Sequence, residues 1–349
     1  MIDLNNPLTF KHLDPKDVYG STGLLADQVK QVLDDFKNIN PPEDLKNIKN
    51  IVISGMGGSA YGGHVAKSLL KNDISLPIYI NNDYTLPYFV NIETLVILIS
   101  YSGSTEETLA SAKEALKKNA KISGITTGGD LGEFLTQSSS FYYIFDPKNN
   151  PSGQPRLGTG YTVFGTLALL NKLGVINNLS KEFDTAKKEL EDNINAIKET
   201  SIDISQKIRG FIPVIFSAEF LEGNAHIIRN QFNETSKSFS AFSQIPELNH
   251  HLMEGLKYPL DKKIKVLFLN SDLYSPSVKK RVEHTKDVIS KNNIEWLEYM
   301  PEGSSSLSQV LSVLSFGSFV TFYLGILYNE DPSLIPWVDY FKQQLHPVK

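Results

Sequence analysis

The sequence predicts an α/β protein whose parallel sheets are wound with helices on both sides, arranged in two halves. Three observations predict this class. Short apolar runs, closed by Gly, Asn or Ser, recur along the chain. They are continuously apolar rather than alternating, as strands buried on both faces are. Helix-like segments separate them in regular turn, the β-α-β-α-β order of a doubly wound sheet. A second series of the same kind follows a long charged tract.

Taken in order, Val18 to Lys37 mixes apolar and charged residues at helical spacing, and Asn40-Pro41-Pro42 ends that pattern. Ile51–Ile53, Ile78–Ile80 and Leu95–Ile99 read as strands, with helices over Ala60–Leu70 and Thr105–Lys118 between and after them. Lys121–Thr126 and Phe141–Phe145 read as two more strands. A loop rich in Pro and Gly, Asp146 to Gly160, interrupts the alternation. Glu182 to Gln206 reads as a charged helical connector. Pro213–Phe216, Lys265–Leu269 and Ile294–Tyr299 then supply the strands of the second half. The expected division is residues 1–180, a connector at 181–205, and residues 206–349.

The 349 residues exceed a typical single core, which favours two domains. Apolar residues are 41% and charged residues 21%, ordinary for a globular chain. A formal net charge of −5 offers no basic footprint, so nucleic acid is not an expected partner. The absence of cysteine removes disulfides, thiolate metal sites and a cysteine nucleophile. Met1 to Asp14 lacks the basic start and apolar core of a signal peptide, so a cytoplasmic location is expected. Gly303 to Asn329 is uncharged and long enough to span a membrane. Ser308, Gln309, Ser312, Ser315, Ser318 and Thr321 nevertheless mark one polar face, which suits a helix buried between protein layers. No membrane association is expected.

Two loops carry the chemistry of the first half. Gly55-Met56-Gly57-Gly58-Ser59-Ala60 follows a strand directly, where glycines admit an anion to the backbone and to the next helix N-terminus. The same residues fit a dinucleotide-binding pattern, with Asp83 after the next strand as its acidic partner. A plain strand-to-helix turn would need no ligand at all. Ser100-Tyr101-Ser102-Gly103-Ser104-Thr105-Glu106-Glu107-Thr108 follows the strand Leu95–Ile99. Ser104 and Glu107 fit a capping box. Hydroxyls at Ser100, Ser102 and Thr105 beside a helix N-terminus suit a phosphate dianion without any Lys or Arg. Such residues are also ordinary turn formers and caps. Two such loops on successive strands point to a ligand at the carboxyl ends of the sheet.

These loops resemble the phosphosugar-binding loops of the sugar isomerase (SIS) fold. Asn230-Gln231-Phe232-Asn233-Glu234-Thr235-Ser236-Lys237 and Ile245-Pro246-Glu247-Leu248-Asn249-His250 closely resemble the paired signature of the bifunctional phosphoglucose/phosphomannose isomerases. The segment from Asp331-Pro332 to Lys342 is similar to that family's last helix. The resemblance runs from about residue 20 to the C-terminus. It implies two SIS-type, flavodoxin-like subdomains, with the phosphosugar loops in the first and the catalytic Glu and His in the second.

It also implies an enzyme that interconverts glucose 6-phosphate and fructose 6-phosphate, and mannose 6-phosphate as well, with no metal or redox cofactor. The sugar ring opens and a proton then moves between C2 and C1 through an enediolate. By resemblance Glu234 is the base, and His250 exchanges protons with the ring oxygen, a task suited to imidazole. Lys342 assists ring opening, and Arg156 stabilises the enediolate with fixed positive charge. Gly57, Gly58, Ser59, Ser100, Ser102 and Thr105 hold the substrate. The family is dimeric, with the histidine entering from the neighbouring subunit, so a homodimer with shared sites is expected. Three departures stand out. Thr235 and His251 replace expected asparagines, and Met253-Glu254 is less apolar than the family pattern, which leaves the glucose and mannose preferences open. Taken singly, Glu234 is also a plain surface carboxylate, Arg156 a solvated loop cation and Lys342 a helix-end lysine. Two rival readings are a non-catalytic phosphosugar sensor, which normally carries an added DNA-binding segment, and a dinucleotide-dependent oxidoreductase, which leaves the Ser100–Thr108 loop unexplained.

Overall fold

The computed structural model describes residues 2–41, 47–138, 140–177 and 179–345. Pro42, one of the residues expected to end the first helix, lies outside them. That helix is two: α1 (Val18–Gly23) and α2 (Leu25–Phe36) meet at a turn at Leu24, whose N–H bonds back to Gly20 and Ser21. Five parallel strands follow: β1 (Asn50–Ser54), β2 (Ile78–Asn81), β3 (Thr94–Ser100), β4 (Lys121–Thr126) and β5 (Phe141–Ile144). They lie in the order β2-β1-β3-β4-β5. Helices α3 (Tyr61–Leu69), α4 (Glu106–Lys117) and α5 (Gly129–Gln137) form the crossovers, and a π-helical turn at Gly160–Phe164 leads into α6 (Gly165–Lys172).

Strand periodicity explains why this sheet is buried on both faces. Ile51, Ile53, Leu95, Ile97 and Ile99 point into the main core. Val52, Val96, Leu98 and Ile122 point the other way, into a smaller core with Leu131 and Leu135 of α5. Helix α7 (Ser180–Ile208) covers the tract read as a connector. It does more than connect, because Phe183, Leu190, Ile197 and Ile204 are buried.

The second sheet repeats the plan with β6 (Ile212–Ala218), β7 (Ala241–Ile245), β8 (Ile264–Leu269) and β9 (Glu295–Tyr299), all parallel, in the order β7-β6-β8-β9. Helices α8 (Glu222–Glu234), the short α9 (Leu252–Gly255) and α10 (Pro276–Lys291) join them. Strand β7 reads Ala-Phe-Ser-Gln-Ile and sits half-buried at the sheet edge, so no apolar run announces it. The main core runs without a break through both halves.

Helix α11 (Ser306–Leu327) fills the space between layers. Its most apolar stretch is long and hydrophobic enough to cross a membrane, yet 94% of it is buried inside the protein. The polar stripe meets partners there. Ser312 bonds Tyr299 at 2.9 Å, Gln231 donates to Ser318 at 3.0 Å, and Ser271 donates to Gln309 at 2.6 Å. Helix α12 (Pro336–Leu345) is the opposite case, with no buried residue and Trp337 81% exposed.

Candidate active site

In each sheet the order reverses beside the first strand, and crevices for ligands open at the carboxyl ends of strands at such a point. In the first sheet that point lies between β1 and β3. The loop after β1 turns through Gly57, at φ +51°, into a 3-10 turn at Gly57–Ala60. A Cβ on Gly58 would stand 2.9 Å from the Arg156 nitrogen and from the Pro155 carbonyl carbon. Only glycine lets this turn touch the turn that carries Arg156. The Ser59 hydroxyl accepts from the Tyr101 N–H at 2.9 Å and so ties the two loops together.

The loop after β3 is bonded largely to itself. Ser100 Oγ and Thr105 Oγ1 lie 2.9 Å apart, Ser102 and Ser104 hydroxyls 3.0 Å apart, and the Gly103 N–H donates to Ser100 Oγ. Gly103 adopts φ +74° against the Gly128 carbonyl, a position closed to any side chain. The expected Ser104–Glu107 capping box does not form. The N-cap of α4 is Thr105, whose extended backbone turns its hydroxyl to Ser100 rather than to the helix, so it makes no capping bond. The first turn of α4 therefore presents its positive end beside a cluster of hydroxyls. Asp83, the acid of the dinucleotide pattern, accepts from the neighbouring Tyr84 N–H in an exposed turn.

Arg156 is 2% exposed, far from the solvated loop cation that its Pro- and Gly-rich surroundings suggest. It reaches across the halves to the end of α8. Nη1 lies 3.4 Å from Glu234 Oε2 and donates to Gln154 at 2.9 Å. Nε donates to Thr235 Oγ1 at 3.1 Å, and Nη2 donates to the carbonyls of Pro332 and Ser333 at 2.6 and 3.1 Å. Thr235, one of the departures from the family pattern, is thus the hydroxyl that receives Arg156. Burial lowers the pKa of Arg156, against the opposing pull of the Glu234 carboxylate.

Glu234 is the last residue of α8, and its side chain is 31% exposed. Lys237, at φ +56°, folds back to donate to the carbonyls of Glu234, Thr235 and Asp331 at 2.9, 3.2 and 2.8 Å. It satisfies the free carbonyl end of the helix. Burial, together with the nearby Arg156 charge, pushes Lys237 down to about 8. Neither the Lys237 clamp nor Tyr61, which opens α3 beside Glu234, stands out in the sequence. The positive φ that lets Lys237 turn back has no glycine or asparagine to mark it.

One chain therefore brings together Gly57–Ser59, the Ser100–Thr105 loop, Arg156 and Glu234. Among the described residues no hydrogen bond or ion pair joins His250 or Lys342 to them. His250 ends a 3-10 turn past the carboxyl end of β7, is exposed, and makes no hydrogen bond or ion pair among the described residues. Its neighbour His251 pairs with Glu247 at 2.9 Å. Lys342 is exposed on α12, whose start is held near Arg156 through Pro332 and Ser333. A cleft of about 830 Å³ lies away from these residues, between α3, β2 and β7, lined by His64, Lys67, Lys71, Glu222 and His226.

Comparison with known proteins decides what family the site belongs to. Over 341 residues the chain is 33% identical to the bifunctional phosphoglucose/phosphomannose isomerase of Caldicellulosiruptor bescii, covering 93% of this chain and 98% of that one. The chain belongs to the bifunctional phosphoglucose/phosphomannose isomerase family. The enzyme of that name from Aquifex aeolicus is also 33% identical, over 87% of this chain and 92% of its own. Two family descriptions match separate parts, a SIS domain at residues 44–132 and a bacterial phospho-glucose isomerase C-terminal SIS domain at 197–345. The first match holds both hydroxyl loops, the second holds Glu234, His250 and Lys342, and Arg156 lies between them. A putative phosphosugar isomerase structure from Clostridium difficile shares the fold with a TM-score of 0.73 at 16% identity, over 95% of this chain and 99% of that one.

Proposed function

We propose that this phosphoglucose/phosphomannose isomerase family member interconverts glucose 6-phosphate and fructose 6-phosphate, and takes mannose 6-phosphate as well. The observation that supports the reading is Arg156, whose turn packs against Gly58 and whose guanidinium reaches to 3.4 Å from Glu234. In this reading Ser100, Ser102 and Thr105, with the backbone of Gly57, Gly58 and Ser59, hold the unreacting phosphate. The hydroxyls exchange their bonds to one another for bonds to the anion. Glu234 takes the proton from C2 and returns it to C1, and the electrons pass through an enediolate. The buried guanidinium of Arg156 offers a fixed positive charge where negative charge develops, in surroundings that screen it little. Residues 1–180 thus supply the anion site and residues 206–349 the base, joined across 181–205.

His250 and Lys342 act, in the same reading, from a second copy of the chain and from α12. The exposed face of α12, with Trp337, Tyr340 and Phe341 at 81%, 56% and 61%, is apolar surface suited to an interface. The uncharged helix α11 cannot serve that purpose, because it is buried within its own chain. Glu234→Gln tests the base. Isomerisation is expected to fall by about 10²–10⁴-fold while sugar-phosphate binding persists. Turnover near the wild-type rate would reject Glu234.

A further inference from the structure

A guanidinium has five N–H groups. In Arg156 all five are committed within the protein: one to Thr235, two to Gln154 and Glu234, and two to the carbonyls of Pro332 and Ser333. Arg156 therefore brings charge to the site, but no spare hydrogen. Its hold on Glu234 is weak as well. The 3.4 Å separation exceeds the roughly 2.7–2.9 Å of a good charge-assisted bond. Glu234 also ends its helix, where the carbonyl end of the dipole disfavours a carboxylate. A proton-transferring base held so loosely is not fixed to within the fraction of an ångström that such sites require.

A spare donor stands beside it. Tyr61, the first residue of α3, follows directly on the Gly57–Ala60 turn and is fully buried. Its hydrogen finds no acceptor at close range, and the Asn230 side chain bonds the phenol oxygen only weakly. Burial and then the Glu234 carboxylate raise its pKa, so the phenol keeps its proton; the Arg156 charge, the Asn230 side-chain bond and the Arg229 charge oppose that rise. A buried donor left unpaired destabilises the fold, and phenylalanine would fill the same space without that penalty. Full burial also keeps the hydroxyl from touching a sugar directly. The acceptor free to come to it is Glu234, partly exposed and held by one long contact.

We propose that Tyr61 is a positioning residue for Glu234, its phenol donating to the Glu234 carboxylate once substrate draws that carboxylate away from Arg156. This rests on reading Glu234 as the base. The bond favours the charged form of the carboxylate and fixes its direction toward C1 and C2.

The test compares Tyr61→Phe, Glu234→Gln and the double variant. Tyr61→Phe is expected to lower kcat about 10- to 100-fold with KM little changed. The acid limb of its kcat/KM profile moves to higher pH, since the carboxylate has lost a donor. Its Tm stays the same or rises, because the removed hydroxyl gave its hydrogen to no close acceptor in the free protein. In the Glu234→Gln background the same change has no further effect. An unchanged kcat and acid limb in Tyr61→Phe, with Glu234→Gln inactive, overturns the role of Tyr61 and leaves the base in place. A Tm lowered by several degrees overturns it too, by showing a structural partner for the hydroxyl. Near-normal turnover in Glu234→Gln fails the reading of the base itself.

Discussion

Glu234 and His250 lie at opposite ends of the second sheet, and this gives a sharp prediction about assembly. Helix α8 runs 13 residues from the carboxyl end of β6 back toward the sheet's amino end. At about 1.5 Å per residue it carries Glu234 roughly 20 Å along the strands. Strand β7 then returns over 5 residues, about 17 Å at 3.3 Å each, before the turn that holds His250. Both groups must come within about 3 Å of one sugar to exchange protons with it. One chain keeps them farther apart than a single sugar spans, whereas the proposed two-fold dimer would supply each site with Glu234 from one copy and His250 from the other. Glu234→Gln and His250→Ala subunits, each inactive alone, are mixed in equal amounts after reversible dissociation. Random pairing makes about half the dimers mixed, and each mixed dimer holds one site with both groups intact. The coupled isomerase assay should therefore recover about a quarter of wild-type activity. No recovery, with exchange verified by mass, refutes the shared site.

Two further outcomes follow from the geometry. Ser102→Ala and Thr105→Ala should each weaken fructose 6-phosphate binding by about 1–3 kcal/mol with kcat nearly kept, as calorimetry and kinetics would show; unchanged affinity places the phosphate elsewhere. The imidazoles of His64 and His226 stack 3.8 Å apart; burial and then Lys67 and Arg229 lower His64 to about 4, and burial and then His64 and Arg229 lower His226 to about 3. Their folded values lie below the unfolded value near 6.5, so their stability is complete above about pH 6.5 and is lost as pH falls toward 4, by up to about 1.4 kcal/mol per pH unit for each ring. Urea midpoints at pH 7 and pH 5 should diverge less in a His64→Gln/His226→Gln variant than in wild type, and equal losses refute the pair's role.

Much of the fold is legible because apolar continuity marks the central strands. β1, β3, β6 and β8 are buried on both faces and write that burial into Ile, Val and Leu. β7 escapes because an edge strand with Ser and Gln carries no such signal. The site is legible where backbone conformation demands a particular residue, as at Gly57, Gly58 and Gly103, or where hydroxyls crowd one turn. The family signature locates Glu234 and Arg156, but nothing in the sequence tells that Arg156 is buried and saturated with acceptors 2 to 177 residues away. Long-range partners of this kind leave no periodicity. Tyr61 escapes for a related reason: an aromatic residue opening a helix reads as core, and only a buried hydroxyl whose hydrogen finds no close acceptor sets it apart.

The two halves share a winding, yet the proposed phosphate site falls to one of them for a reason visible in side chains. At the first reversal point the loops offer Gly57, Gly58, Ser59 and the Ser100–Thr105 hydroxyls, with no side-chain cap from Thr105 over the first turn of α4. At the second, Glu219 sits at φ +47° after β6 and turns its carboxylate onto the start of α10. Its oxygens accept from the Ser275 N–H at 3.2 Å and from the Ser275 hydroxyl at 2.6 Å. The Ser275 donors at the start of α10 are thus met by an anion the chain carries itself, and that carboxylate repels a second. On the proposed reading the first half is left to bind, while the second is free to spend α8 on Glu234 and the turn after β7 on His250. A doubled fold would in this way make one composite site, with the anion held on one sheet and the proton moved from the other.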